Sequence, residues 1–268
     1  MTDLLVIPAR WNSSRFPGKP LALISGRTLL ERVVDLGRRA IRDNPAIRLV
    51  VATDHDAVVE HATRLGCEAV ITDPAISSGS GRALAAARQQ HEQPRCVVNL
   101  QGDAPFIPAE AIAATIAACA AGADCATPVV QLDWAALDRL REQKRTTPFS
   151  GTTCIRAADG GALWFSKTIL PAIRDEEQAR RNSLLSPVYR HLGLYGYAYS
   201  TLERFEAAPP SRYEQWEGLE QLRLLEMGVR IETVAVSPPA ISLGGIDTPE
   251  DARRAEALIA THGDPFGS

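Results

Sequence analysis

The sequence predicts an α/β fold, a mostly parallel sheet flanked by helices with a smaller antiparallel lobe. Three observations carry this expectation. Short apolar runs alternate with helix-period patterns through the first half, strand-like runs follow one another in the second half without regular helices between them, and charged clusters leave the ends of the first-half runs. Asp3 to Pro8 reads as a buried strand, and Thr28 to Ile41 places Leu29, Leu30, Val33, Leu36 and Ala40 at helical spacing. Arg48 to Ala52 is a second strand, followed by the polar turn Thr53-Asp54-His55-Asp56 and a helix through Leu65, with Gly66 at its end. Ala69 to Thr72 is a third strand, Gly81 to His91 a helix, and Arg95 to Leu100 a fourth strand. Alternation of this kind argues for parallel strands covered on both faces, with ligands bound at their carboxyl ends. Farther on, Ala126 to Val130, Thr152 to Arg156, Ala162 to Ser166 and Leu192 to Tyr199 read as strands. Two acidic helices come last, near Glu214 to Met227 and Pro249 to Thr261. Arg174 to Pro187 is polar and charged and is expected as a mobile surface loop, and the tail His262 to Ser268 as frayed.

Composition narrows the function classes. The chain has 268 residues, 45% of them hydrophobic, enough for one large domain. The formal net charge of −3 leaves no basic surface for nucleic acid, so phosphate binding has to come from a local cluster of cations. No apolar run approaches the length of a membrane span, and the chain opens directly into a strand-like run, so a cytoplasmic protein without a membrane partner is expected. Cys67, Cys96, Cys119, Cys125 and Cys154 form an odd set without Cys-x-x-Cys spacing and read as buried, reduced thiols.

The strongest local signal is the segment Pro8-Ala9-Arg10-Trp11-Asn12-Ser13-Ser14-Arg15-Phe16-Pro17-Gly18-Lys19-Pro20. Arg10, Arg15 and Lys19 leave a buried strand together, and Pro17, Gly18 and Pro20 limit the shape of the loop. Guanidinium forks plus one point-charge lysine suit a triphosphate. The glycines match neither the dinucleotide fingerprint nor the P-loop, which disfavours both folds. Asp103 follows the apolar run Val97 to Leu100, so a strand end presents it to the crevice; alone, it reads equally as turn chemistry. Asp247 precedes a helix start at Thr248-Pro249-Glu250 and alone reads as a cap. Beside a phosphate loop, two carboxylates suit a hard, oxygen-preferring ion such as magnesium.

At this loop the chain resembles the sugar nucleotidyltransferases, specifically the 3-deoxy-manno-octulosonate cytidylyltransferase (CMP-Kdo synthetase) family. The resemblance runs from Ile7 to Ala252. Its motifs include Ala52-Thr53-Asp54, Ser78-Gly79, Leu100-Gln101-Gly102-Asp103, Trp164-Phe165-Ser166, His191-Leu192-Gly193-Leu194-Tyr195-Gly196-Tyr197, Leu219-Glu220-Gln221-Leu222-Arg223 and Gly245-Ile246-Asp247-Thr248-Pro249-Glu250-Asp251. Each is weak alone; in this order and at these separations they form a signature. The resemblance implies a Rossmann-like nucleotidyltransferase sheet in one domain, residues 1–268, with a nucleotide-binding half over roughly 1–125 and a sugar-binding and dimerisation half over 126–268. It implies transfer of a cytidylyl group from CTP to a 2-keto-3-deoxy sugar acid, with Asp103 and Asp247 as ligands of Mg2+ and with Arg10 and Lys19 also catalytic. Pro8, Ala9, Arg10, Arg15, Lys19, Ser78, Gly79, Arg82 and Gln101 are the implied nucleotide contacts. Gln101, His191, Tyr195, Glu217, Glu220 and Gln221 are the implied contacts to the sugar acid. A homodimer, serving the supply of activated sugar for surface lipopolysaccharide, is implied too.

His191 and Tyr195, four apart in one expected strand, would face the same side, and Glu214, Glu217 and Glu220 would form one helical stripe. The chain departs from the family pattern at four places. Ala104 stands where the family has an acidic residue, Ala75-Ile76 where it has Asp-His, Ser80-Gly81 where it has Thr-Glu, and Ser150-Gly151-Thr152-Thr153 where it has Asn-x-x-Lys. Three alternatives follow: a different sugar acid, a sugar phosphate acceptor, or a catalytically silent nucleotide-binding regulator.

Overall fold

The computed structural model describes residues 2–12, 15–42, 44–239 and 244–267. Ser13 and Ser14 of the first loop, and Ser268 of the tail, lie outside the described residues. In chain order the first half holds β1 (Asp3–Pro8), a 3-10 turn (Lys19–Leu21), β2 (Leu23–Ile24), β3 (Arg27–Thr28), α1 (Leu29–Ile41), β4 (Ile47–Thr53), α2 (Asp56–Arg64), β5 (Glu68–Ile71), α3 (Gly79–Arg88), β6 (Cys96–Asn99) and α4 (Ala109–Ala120). The second half holds β7 (Cys125–Asp133), α5 (Trp134–Thr146), β8 (Thr153–Arg156), β9 (Ala162–Ser166), α6 (Glu176–Asn182), β10 (Leu185–His191), β11 (Tyr195–Ala198), α7 (Tyr199–Ala207), α8 (Arg212–Glu217), α9 (Gln221–Glu226), β12 (Ile231–Ala235) and α10 (Pro249–His262).

One sheet joins both halves, in the order β5-β4-β1-β6-β11-β7-β10-β8-β9, with β12 parallel beside β7. β5, β4, β1 and β6 are parallel, and β1 is buried from Asp3 to Ile7, as an apolar run covered on both faces requires. β11 enters antiparallel between β6 and β7, and the antiparallel strands β10, β8 and β9 extend the far end. β2 and β3 form a separate two-stranded antiparallel sheet. Thr28 caps α1 by accepting from the Glu31 amide, and Leu29, Leu30, Val33 and Leu36 then turn into the core on that face of the sheet. All five cysteines are free and buried. Among the described residues no helix is long and apolar enough to cross a membrane.

Several local expectations are corrected. A regular helix, α5, does separate β7 from β8; it buries only Trp134, Leu137 and Leu140, too thin a stripe to read. Arg174 to Pro187 is a helix and a strand start instead of a loop. α6 buries no residue, but Glu176 accepts from Arg141 and Arg180, and the Arg180 guanidinium lies 4.7 Å from the Trp134 ring centroid. Those two arginines pull the Glu176 carboxyl down to about 2. The acidic stretch Glu214 to Met227 is two helices, because Gly218 takes φ 62° and ends α8. Glu214, Glu217 and Glu220 therefore do not share one helical stripe. α3 starts at Gly79, capped by Ser78, two residues before the expected start. α4, α7 and β12 were not anticipated. The tail is docked: Arg32, fully buried, donates to both oxygens of Asp264, and Phe266 is buried beneath Arg27, Arg32 and Arg39.

Candidate active site

Parallel pairing puts Pro8 beside Ala52, and Val6 beside Asn99, so the chain leaves β1, β4 and β6 at one edge. There Pro8, Ala9, Arg10, Lys19, Ser78, Gly79, Arg82, Gln101, Asp103 and Asp247 line one cleft of about 140 Å³. Its close quarters are visible at Gly102, where a Cβ would stand 2.3 Å from the Pro8 carbonyl oxygen; no other residue fits that approach. Lys19 opens the 3-10 turn, and its Nζ lies 2.7 Å from Asp103 Oδ2 and 3.1 Å from Asp247 Oδ1. Arg15 reaches Asp247 Oδ2 at 3.2 Å. The helix-cap role is filled without Asp247: Thr248 and Asp251 close a capping box around α10. The Asp247 carboxylate is thereby left to the cleft. The Ile246 amide donates to the Asp103 carbonyl at 2.8 Å, which ties the two acidic segments together. Arg10, exposed, reaches the Ser77 carbonyl at 3.4 Å. The first turn of α3, with Gly79 at its start and its Gly81 amide capped by Ser78, brings the positive end of a helix dipole to this rim.

Arg82 lines the cleft, but its guanidinium is spent on the fold. It is 2% exposed and donates to the Thr72 hydroxyl, to Asp54 Oδ2 at 3.3 Å and to the Ile76 carbonyl at 2.9 Å. Asp54 Oδ1 in turn accepts the Trp11 amide at 2.8 Å, and the Trp11 ring stacks on His55 at 4.2 Å. Asp54 is thus the residue that secures the cationic loop, a role the motif Ala52-Thr53-Asp54 did not disclose. Loss of water on burial lowers the Arg82 pKa.

Of the expected sugar-acid contacts Gln101 lines that cleft, and the others lie outside it. His191 and Tyr195 are not in one strand: His191 ends β10 opposite Val129, and Tyr195 begins β11 opposite Asn99. Leu192 to Leu194 turn the chain between them, and their rings still approach to 5.1 Å. The Thr127 hydroxyl donates to the Leu194 carbonyl at 2.7 Å, so its contact with His191 Nε2 at 2.8 Å is received from the ring. That bond assigns the Nε2–H tautomer and leaves Nδ1 as an acceptor. Burial and the nearby Lys167 ammonium push the His191 pKa down to about 3. Burial raises the Tyr195 pKa well above its ordinary value. Glu217 holds the end of β9, accepting from the Ser166 hydroxyl at 2.7 Å and the Lys167 amide at 2.8 Å. Glu220 accepts from Ser80 at 3.3 Å, and partial withdrawal from water, with Glu206 nearby, raises its pKa. Thr127 and Lys167 were missed because neither stands out in sequence: one is a strand threonine, the other an isolated lysine. Among the described residues, the buried Asn99 Oδ1, opposite Tyr195, and Gln221 Nε2 lack a hydrogen-bond partner.

The donor set fits a hard divalent cation. Among the described residues no group of three or more His, Cys, Asp and Glu side chains could hold a metal. Two carboxylates nevertheless converge on one positive atom, Lys19 Nζ. Two carboxylates, with water and phosphate oxygens supplying the rest, are the usual protein share for magnesium.

Comparison with known proteins identifies the family. The cytidylyltransferase family profile matches residues 4–231. The 3-deoxy-manno-octulosonate cytidylyltransferase of Maricaulis maris is 39% identical over 267 residues, 98% of this chain and 99% of that one. Its counterpart from Anaeromyxobacter dehalogenans (strain 2CP-C) is 41% identical over 257 residues, 96% of this chain and 97% of that one. A solved CMP:2-keto-3-deoxy-manno-octonic acid synthetase in complex with CTP superposes with a TM-score of 0.81 at 28% identity, covering 97% of this chain and 99% of that one. The chain therefore belongs to the cytidylyltransferase family, among the 3-deoxy-manno-octulosonate cytidylyltransferases.

Proposed function

We propose that the protein transfers a cytidylyl group from CTP to the anomeric hydroxyl of 3-deoxy-manno-octulosonate, releasing pyrophosphate. The observation that carries the proposal is the meeting of Lys19, Asp103 and Asp247 at the mouth of the cleft; the names of the relatives supply the substrates. Arg10, Arg15 and Lys19 neutralise the triphosphate, and the backbone at Pro8, Ala9, Ser78 and Gly79 holds base and ribose. Gln101 lies between nucleotide and sugar. Asp103 and Asp247 would hold magnesium, which when bound lowers the pKa of the attacking hydroxyl and offsets phosphate charge. His191 offers Nδ1 to a sugar hydroxyl as an acceptor; with its pKa near 3 it stays neutral and is no general base. Tyr195, Glu217, Glu220 and Gln221 complete the sugar contacts, and Lys167 faces the sugar carboxylate. The hydroxyl gives up its proton to solvent and attacks the α-phosphorus in line as the bond to pyrophosphate breaks, so catalysis is positioning and charge stabilisation. The protein is read as a cytoplasmic homodimer supplying activated sugar for lipopolysaccharide.

A pyrophosphate-release screen across CTP, UTP and several sugar acids tests the substrates; the highest kcat/KM is expected for CTP with 3-deoxy-manno-octulosonate. Asp103→Ala is expected to lose at least about 100-fold in turnover while melting as the parent does. Near-normal turnover in that variant would remove the carboxylate from the mechanism.

A further inference from the structure

We propose that Lys144 is a positioning residue that fixes Lys167 at the sugar-acid pocket; the proposal rests on the reading of that pocket given above. Lys144 lies near the end of α5, and its Nζ donates to the carbonyls of Ser150 at 2.5 Å, Gly151 at 2.9 Å and Lys167 at 2.5 Å, with the Pro148 carbonyl at 3.3 Å. An ammonium has three protons, and three close carbonyls take them all. None remains for a substrate, so Lys144 acts on the pocket only through the backbone it holds.

That backbone is gripped from both sides. The Lys167 carbonyl is held by Lys144, while its amide donates to Glu217 Oε2 at 2.8 Å. One residue on, the Thr168 carbonyl accepts from the Thr153 hydroxyl at 2.7 Å. Phe149 in the turn between α5 and β8 is 75% exposed, so its ring does not anchor the turn. The Ser150 amide and hydroxyl close the turn on the Thr147 carbonyl, and the ammonium joins that turn to the end of β9. Lys167 leaves that clamp half-buried, close enough to His191 for its charge to help keep the imidazole neutral. Burial lowers the Lys167 pKa too.

Lys144→Met keeps the reach of the side chain and deletes its three donors; Lys144→Arg keeps donors for the same carbonyls. For Lys144→Met the KM for 3-deoxy-manno-octulosonate is expected to rise about tenfold, with the calorimetric Kd for CTP unchanged within about twofold. Lys144→Arg should recover most of that loss. In NMR of the protein carrying isotope-labelled lysine, the Lys167 titration should move up in Lys144→Met, toward the ordinary lysine value. An equal loss of CTP affinity and sugar KM would reduce Lys144 to a general stabiliser, and an unchanged sugar KM would overturn the proposal. Should the parent protein turn over no sugar acid, the functional reading fails separately. The NMR titration then decides for Lys144, and a Lys167 curve identical in parent and variant overturns it.

Discussion

An imidazole that stays neutral to about pH 3 behaves unlike the same group in an unfolded chain, which takes up its proton near 6.5. As pH falls through this window the unfolded state binds the proton first, so stability drops with pH. His191 contributes fully above about pH 6.5 and loses its contribution progressively toward about pH 3. One proton changes stability by at most about 1.4 kcal/mol per pH unit, and the partly open pocket reduces this to about 1 kcal/mol in all by pH 5. The difference in urea midpoint between pH 7 and pH 5 is therefore expected to narrow in His191→Gln. An equal difference in parent and variant would assign the proton to another group. At this scale the sequence disclosed which residue types matter, but not their partners. Lys19, Asp103 and Asp247 were legible because their chemistry has few other uses in such a pattern. Arg82 has the same chemistry yet is spent on Asp54, Thr72 and Ile76, which only the fold reveals.

Among the elements, α10 is fixed at both ends. Its first turn begins beside Asp247, and beyond its last turn Asp264 pairs with the buried Arg32 while Phe266 fills a cage of three guanidiniums. Phe266 is 4% exposed, so Phe266→Ala is expected to lower stability by about 3 kcal/mol in chemical denaturation. A change below about 1 kcal/mol would show the tail to be dispensable. This docking was illegible because the tail carries one phenylalanine among polar and small residues, without a period. The parallel strands were legible for the opposite reason. Leu4 to Ile7 and Val50 to Ala52 are unbroken apolar runs, and burial on both faces demands that composition. α6 misled through its charges, which satisfy one another along its surface instead of staying with water.

For the molecule as a whole, the sheet runs continuously from β5 to β9, and β9 ends the path, bridged to β12 only at Gly161 among the described residues. Toward this antiparallel end four apolar side chains face solvent: Phe149 at 75%, Leu163 at 61%, Leu184 at 89% and Leu185 at 45% exposed. A terminal strand with exposed apolar side chains around it invites a second copy. Sedimentation is expected to give twice the 29.0 kDa of one chain, and Leu163→Asp with Leu184→Asp to give the monomer. A monomeric parent protein would refute the dimer.

The Lys19 ammonium lies between Asp103 and Asp247, so these two carboxylates come together with no cation between them but the lysine's own. Two like charges brought together by folding would repel, and here the polypeptide carries its own counter-ion for them. On the proposed reading, such a protein would fold before taking up magnesium. Prolonged dialysis against a chelator should silence it while leaving its melting temperature in place, and a divalent salt added back should restore turnover with no refolding step.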